Sequence, residues 1–312
     1  MQRRSYLRCK RGDMDLKTKL GKLTLKNPIL VASGTFSHEY SQYYNLNKLG
    51  AIVTKTITPE PKIGNPPPRI YETKAGLLNS IGLQNPGIMQ FLEKDIYEYK
   101  DVITPKIISF SASSIKEFGD MIIQLETCDL INGYEVNISC PNVEKEGLTF
   151  GTDPRVVFDL VNNLSKKTNK ELIIKLTPNV TDIAMIAKAA EDAGASSISL
   201  INTQIGMAID FKTGKSFIKQ GIAGYSGPAI KPIALASVYK TAKQIKIPII
   251  AMGGISDYKD ALEFFYAGAT AIAIGTAQFA NPLLPIQIIK DLEMYCKNNK
   301  IELSNIKGKV TL

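Results

Sequence analysis

The sequence predicts a (β/α)8 barrel, and three observations predict it. Eight short β-branched or apolar runs recur along the 312 residues, and the stretches between them are long enough for helices. The runs are Asn27–Ser33, Ala51–Thr56, Lys106–Ala112, Tyr134–Ser139, Leu172–Thr177, Ser197–Asn202, Ile247–Gly253 and Ala271–Gly275. Two units also resemble each other: Leu172–Asn202 and Ile249–Thr276 both run strand, capped helix, Ala-Gly-Ala, strand, offset by about 75 residues. A doubly wound open sheet is the rival, but no Gly-x-Gly-x-x-Gly follows the first run and no internal linker divides the chain.

In chain order, residues 1–13 read as a disordered basic tail. Arg3, Arg4, Arg8, Lys10 and Arg11 against Asp13 supply +4 of the net charge of +9, and the apolar stretch of a signal peptide is missing. A single domain over 14–312 follows. Leu16–Leu20 and Gly21–Leu25 alternate around a Gly-Lys turn, which predicts an N-terminal hairpin before the first barrel strand. Polar caps mark helix starts: Asp153-Pro154 before Arg155–Lys166, Thr181 before Asp182–Ala193, and Ser256 before Asp257–Ala267. Strand six is followed by an insertion, Thr203–Gly227, whose Lys212-Thr213-Gly214-Lys215 turn predicts a small hairpin over the barrel mouth.

Composition removes several function classes. With 44% hydrophobic and 21% charged residues the chain can build a core, and it has no apolar run of the ~18 residues a membrane helix needs, so a soluble protein without membrane contact is expected. His38 is the only histidine, which excludes metal sites built from several imidazoles; no metal is expected. Cys9, Cys128, Cys140 and Cys296 form no Cys-x-x-Cys pair, so the chain carries no iron–sulfur cluster of its own and suits a reducing cytoplasm. The charge left to the body is moderate and scattered, which argues against a nucleic-acid partner.

A barrel places its active site at the carboxyl ends of its strands. There the sequence offers Ser33-Gly34, Lys55-Thr56, Asn137 through Asn142, Lys175, Asn202-Thr203, Gly253-Gly254 and Gly275-Thr276. Glycines ending the last two strands, each before helical sequence, suit a phosphate cradle, because backbone N–H groups approach an anion with no Cβ in the way. Tight turns use the same glycines. Lys55 and Lys175 end inward-facing strands, where an ammonium needs an anionic or electron-rich neighbour; a solvated lysine is the bland reading. Cys140 follows a strand, lies between Asn137 and Asn142, and precedes a glycine-containing loop, whereas Cys128 and Cys296 read as structural.

Together, Asn137-Ile-Ser-Cys-Pro-Asn142, Asn79-Ser-Ile-Gly-Leu-Gln-Asn-Pro-Gly87, Lys55-Thr56, Ile201-Asn-Thr203, Ser226-Gly-Pro228 and Gly253-Gly254 resemble the class 1 dihydroorotate dehydrogenases over nearly all of residues 15–300. The loop Asn142–Pro154 looks more like subclass 1B, the NAD-linked catalytic subunit, than like the fumarate-linked homodimer of subclass 1A. The resemblance implies FMN, with Ser33, Lys55, Thr56, Asn137, Lys175, Ile201, Gly227, Gly253, Gly254, Gly275 and Thr276 at flavin positions. It implies dihydroorotate or orotate against Lys55, Asn79, Ser80, Ile81, Gly82, Leu83, Asn137, Asn202 and Thr203, with Cys140 as the catalytic base. It also implies a homodimer joined into a heterotetramer by an electron-transfer subunit carrying FAD and an iron–sulfur cluster. Where the family's third strand offers an asparagine near the flavin, this chain has Phe110, with Ser109 or Ser111 as the adjacent polar replacements.

Two other readings compete. A tRNA dihydrouridine synthase is also a flavin barrel with a catalytic cysteine, but it calls for a basic face or an extra helical domain. A non-catalytic barrel holding a phosphorylated ligand leaves Cys140 and its flanking asparagines without a purpose.

Overall fold

The computed structural model describes residues 16–139 and 150–311. The basic tail and Cys140, with the rest of 140–149, lie outside the described residues. A hairpin of β1 (Thr18–Leu20) and β2 (Leu23–Leu25) comes first, as the alternation predicts. The strands that follow are β3 (Ile29–Val31), β4 (Ile52–Val53), β5 (Ile70–Thr73), β6 (Gly76–Asn79), β7 (Lys106–Phe110), β8 (Gly133–Asn137) and β9 (Glu171–Lys175). After them come β10 (Ser197–Leu200), β11 (Gln204–Gly206), β12 (Ala223–Ser226), β13 (Ile249–Ala251) and β14 (Ala271–Ile274).

Eight of these strands form one parallel sheet in the order β3-β14-β13-β10-β9-β8-β7-β4. The ring closes between β3 and β4 by a parallel bridge, Leu30 to Ala51, and by the Gly50 N–H donating to the Ile29 carbonyl at 2.8 Å. All eight strands predicted from the sequence are present, and helices connect them as expected of a (β/α)8 barrel. Two caps sit one residue later than the sequence reading placed them. Asp182 and Asp257, not Thr181 and Ser256, accept the first free N–H groups, and Asp153 caps its helix as expected. A carboxylate at the cap satisfies these donors and also faces the positive end of the helix dipole.

Strand periodicity sorts every barrel residue to one of two cores. Ile108, Phe110, Tyr134, Val136, Leu172, Ile174, Ile198, Ile272 and Ile274 point outward into the layer between sheet and helices. Leu30, Ala32, Ala51, Val53, Ile107, Ile173, Ile250, Met252, Ala271 and Ala273 fill the interior, which Leu20 and Leu25 of the hairpin plug from below. Glu171 fastens that plug, its carboxylate accepting the Lys22 N–H and the Ser197 hydroxyl, each at 2.6 Å. Burial pushes the Glu171 carboxyl above the usual carboxylate range.

The insertion after β10 forms the expected hairpin. Asp210 organises its turn by accepting from Lys212 N–H at 2.9 Å and Thr213 Oγ1 at 3.0 Å. The insertion does not stand alone, however. β11 and β12 join β6 and β5 in a four-stranded antiparallel sheet, order β11-β12-β6-β5. Tyr71 stacks on Phe217 across it, with ring centroids 4.1 Å apart. The β5–β6 hairpin was not expected, because Ile-Tyr-Glu-Thr and Gly-Leu-Leu-Asn show no strict alternation and form strands only through this pairing.

Candidate active site

At the mouth, parity selects which side chains enter the barrel. Ser109, Glu135, Asn137, Lys175 and Ser199 occupy inward positions of β7 to β10, above the apolar interior layers. Lys175 is the centre of the group and is 7% exposed. Its ammonium donates to Ser33 Oγ at 3.1 Å and meets Glu135 Oε1 at 3.5 Å. Glu135 is 1% exposed and takes the Ser199 hydroxyl on its other oxygen at 3.1 Å. Among the described residues, one of the three ammonium donors of Lys175 has no protein acceptor.

Beside this group, Asn202 Nδ2 donates to Asn137 Oδ1 at 3.3 Å, and Thr56 Oγ1 lies 2.9 Å from Ser109 Oγ. Phe110 points away from the mouth, packing edge-on against Tyr134 at 6.2 Å in the outer core, so Ser109 is the polar group that β7 offers there. Lys55 stands half-buried just past β4. Burial, helped by the positive charges of Lys175 and Arg69, lowers its pKa below the ordinary lysine value.

The glycines gather on one side. Gly227, Gly253 and Gly254 all have positive φ, at 105°, 121° and 77°. A Cβ on Gly254 would lie 2.8 Å from Lys231 N and 2.9 Å from the Gly227 carbonyl, and one on Gly253 would lie 3.2 Å from Ile201 Cγ1. Thr276 Oγ1 donates to Ser226 Oγ at 2.8 Å, and Gly275 faces Ala32, next to Ser33. The N–H groups of Gly254, Gly275 and Thr276 meet no backbone carbonyl among the described residues. Such a nest of free amides suits an anion.

The remaining predicted residues lie on and just beyond the four-stranded sheet, which meets the barrel through Ser226 and Thr276. Asn79 Nδ2 donates to the Gly224 carbonyl at 3.4 Å, and Gly224 packs directly on the Thr203 side chain. In the loop beyond β6, Asn65 Nδ2 donates to Ser80 Oγ at 2.8 Å and its N–H to the Ile81 carbonyl at 2.9 Å. Gly82 and Leu83 follow with φ of 76° and 52°. Asn85 ties this loop to the barrel, accepting from Thr58 N–H at 3.1 Å and Gly87 N–H at 2.8 Å. The proposed base, Cys140, falls outside the described residues.

Three contributors were not singled out from the sequence. Glu135 and Ser199 carry a signal in retrospect: they are polar residues inside strands that otherwise read as buried. Asn179, which holds Thr203 by accepting Ile205 N–H at 2.9 Å and donating to the Thr203 carbonyl at 3.0 Å, has no such signal. His38 is placed against Tyr99, ring to ring at 5.2 Å.

A closed parallel barrel with a polar, cation-bearing mouth and an amide nest on its last strands defines an α/β-barrel enzyme. Comparison with known proteins makes the class specific. The family model described as dihydroorotate dehydrogenase matches residues 15–295, and the chain belongs to that family. It is 52% identical over 291 residues to the dihydroorotate dehydrogenase B (NAD(+)) catalytic subunit of Thermoanaerobacter pseudethanolicus, covering 93% of this chain and 96% of the relative. Proteins of the same name from Citrifermentans bemidjiense and Geobacter metallireducens are 44% and 46% identical, over 96% and 92% of this chain and 99% and 95% of theirs.

Proposed function

We propose that the chain, as one domain over residues 14–312, is the catalytic subunit of an FMN-dependent, NAD-linked dihydroorotate dehydrogenase. It oxidises (S)-dihydroorotate to orotate in the cytoplasm, in pyrimidine biosynthesis. The observation that carries this reading is the polar cluster at the strand ends, in which Lys175 meets Ser33 and Glu135, Asn202 donates to Asn137, and Lys55 lies close enough to Lys175 for their charges to interact. Among the described residues no helix is long and apolar enough to cross a membrane.

The residues fit FMN at both of its ends. The nest at Gly254, Gly275 and Thr276 suits the phosphate, and Lys175, with a donor to spare beside Ser33, suits the edge of the ring that gains negative charge on reduction. When bound, FMN supplies the hydride acceptor. Lys55 pairs with the substrate carboxylate, and the asparagines and Thr203 supply the neutral donors and acceptors that a buried pyrimidine needs. Cys140 takes the proton from C5, which requires its thiolate.

Electrons must then leave the chain, which has neither a dinucleotide fingerprint nor a cysteine cluster to carry them. The relatives are named as catalytic subunits, which supports a partner. We place the chain as a homodimer within a heterotetramer whose second subunit carries FAD and an iron–sulfur cluster. Ile205, Met207, Ile209 and Phe211, exposed at alternate positions leading out of β11, support an association surface on the insertion. The test is turnover of dihydroorotate by the isolated chain. Activity only with artificial acceptors is expected; brisk turnover with NAD alone or with fumarate would overturn the partner assignment.

A further inference from the structure

Glu135 has no role in the chemistry described above, yet it is a carboxylate buried in the centre of the barrel. Burying a charge is costly unless its partners are good, and an apolar residue would fill the space more cheaply. Its partners are few: Ser199 Oγ at 3.1 Å and the Lys175 ammonium at 3.5 Å. The register explains the meeting. Lys175 pairs with Asn137 on β8 and with Ser199 on β10, so Glu135, two residues below Asn137, reaches up beneath the ammonium from the inward face.

Around Lys175, the titratable groups among the described residues are Glu135 from β8 and Lys55 beyond β4; Ser33 on β3 and Ser199 on β10 are neutral. Without the carboxylate, two ammonium groups would face each other across the mouth with no anion between them. We propose that Glu135 is a positioning residue that holds the Lys175 ammonium in place and pointed at the mouth, and so sets how much more tightly the barrel holds reduced than oxidised flavin. The inference rests on the FMN reading.

The test is Glu135→Gln, which keeps the shape and the Ser199 hydrogen bond and removes the charge, beside Lys175→Met. The affinities of reduced and oxidised FMN are compared in wild type and in both variants. Glu135→Gln should lower the ratio about tenfold relative to wild type, towards Lys175→Met; for a two-electron couple that equals about 30 mV. A wild-type ratio in Glu135→Gln overturns the proposal.

A second readout needs no flavin. NMR of 13Cε-labelled lysine should show the Lys175 resonance displaced in Glu135→Gln relative to wild type, and an unchanged resonance overturns the pairing. Wild-type protein that binds no FMN, with the NMR shift present, would instead overturn the cofactor reading and leave the Glu135–Lys175 pairing standing.

Discussion

Asn202 donates its side-chain amide to Asn137 Oδ1 across β9, at 3.3 Å, and the Ser139 N–H reaches the same oxygen at 3.3 Å. Its carbonyl is thus occupied, and the Asn137 NH2 group donates to no acceptor among the described residues. Asn137→Ala should weaken orotate binding by about 1–3 kcal/mol, the range for stranding a buried polar partner. Asn137→Asp should weaken it further by setting a carboxylate against the ligand's own. Titration calorimetry with orotate measures both, and equal affinity in the two variants would remove Asn137 from the substrate pocket.

Lys55 gives orotate binding a predicted pH dependence. Its pKa is lowered by burial and by Lys175 and Arg69, so its positive charge is lost at lower pH than that of an ordinary lysine. Orotate remains an anion throughout. Affinity should therefore be greatest below that lowered pKa and fall as pH rises through it, and Lys55→Met should bind weakly without this slope. A Lys55→Met profile that keeps the wild-type slope would reassign the charge.

For Cys140 the expectation rests on sequence. Cys140→Ser should retain FMN yet slow flavin reduction by dihydroorotate at least ~100-fold, as loss of a general base does. Stopped-flow absorbance reads the step directly, and normal reduction would exclude the thiol.

Gly254 offers a steric test of the amide nest. Its φ is 77°, and a Cβ there would lie 2.7 Å from Lys231 Cβ and 2.9 Å from the Gly227 carbonyl. Gly254→Ala should cost about 1–3 kcal/mol in strain and reduce FMN content. Gly214→Ala, at φ 68° and facing open space, is strained by its backbone alone and should lower stability without changing FMN content. Flavin absorbance and thermal midpoints separate the two effects, and full FMN content in Gly254→Ala would dismiss the nest.

Alkaline pH should unfold the chain through its buried phenols. Burial raises the pKa of Tyr44, Tyr99 and Tyr134 above the ordinary value, with Tyr40, Glu98 and Glu126 respectively as the next contributors. Because the folded values exceed the unfolded value of about 10, stability is intact below that pH and is lost as pH rises beyond it. Phenolate absorbance for these tyrosines should appear together with loss of circular dichroism. Their ionisation in still-folded protein would contradict the burial argument.

By itself, the sequence determined the barrel and most of the residues proposed at its mouth. Strand runs are written in local composition, since a parallel strand covered on both sides must be apolar, and strand ends are where polar residues interrupt that rule. Ser33, Lys55, Asn137, Lys175, Asn202, Gly253 and Gly275 are legible for that reason. Only the tertiary structure decided what meets across the chain. The β5–β6 hairpin exists because β12 pairs with it, and Phe110 leaves the mouth because β7 turns its odd-numbered residues inward. Asn179 holds Thr203 from 24 residues away, and Glu135 finds Lys175 from 40. Periodicity states which face a residue takes, but the partner on that face depends on register between strands, which no local stretch of sequence encodes.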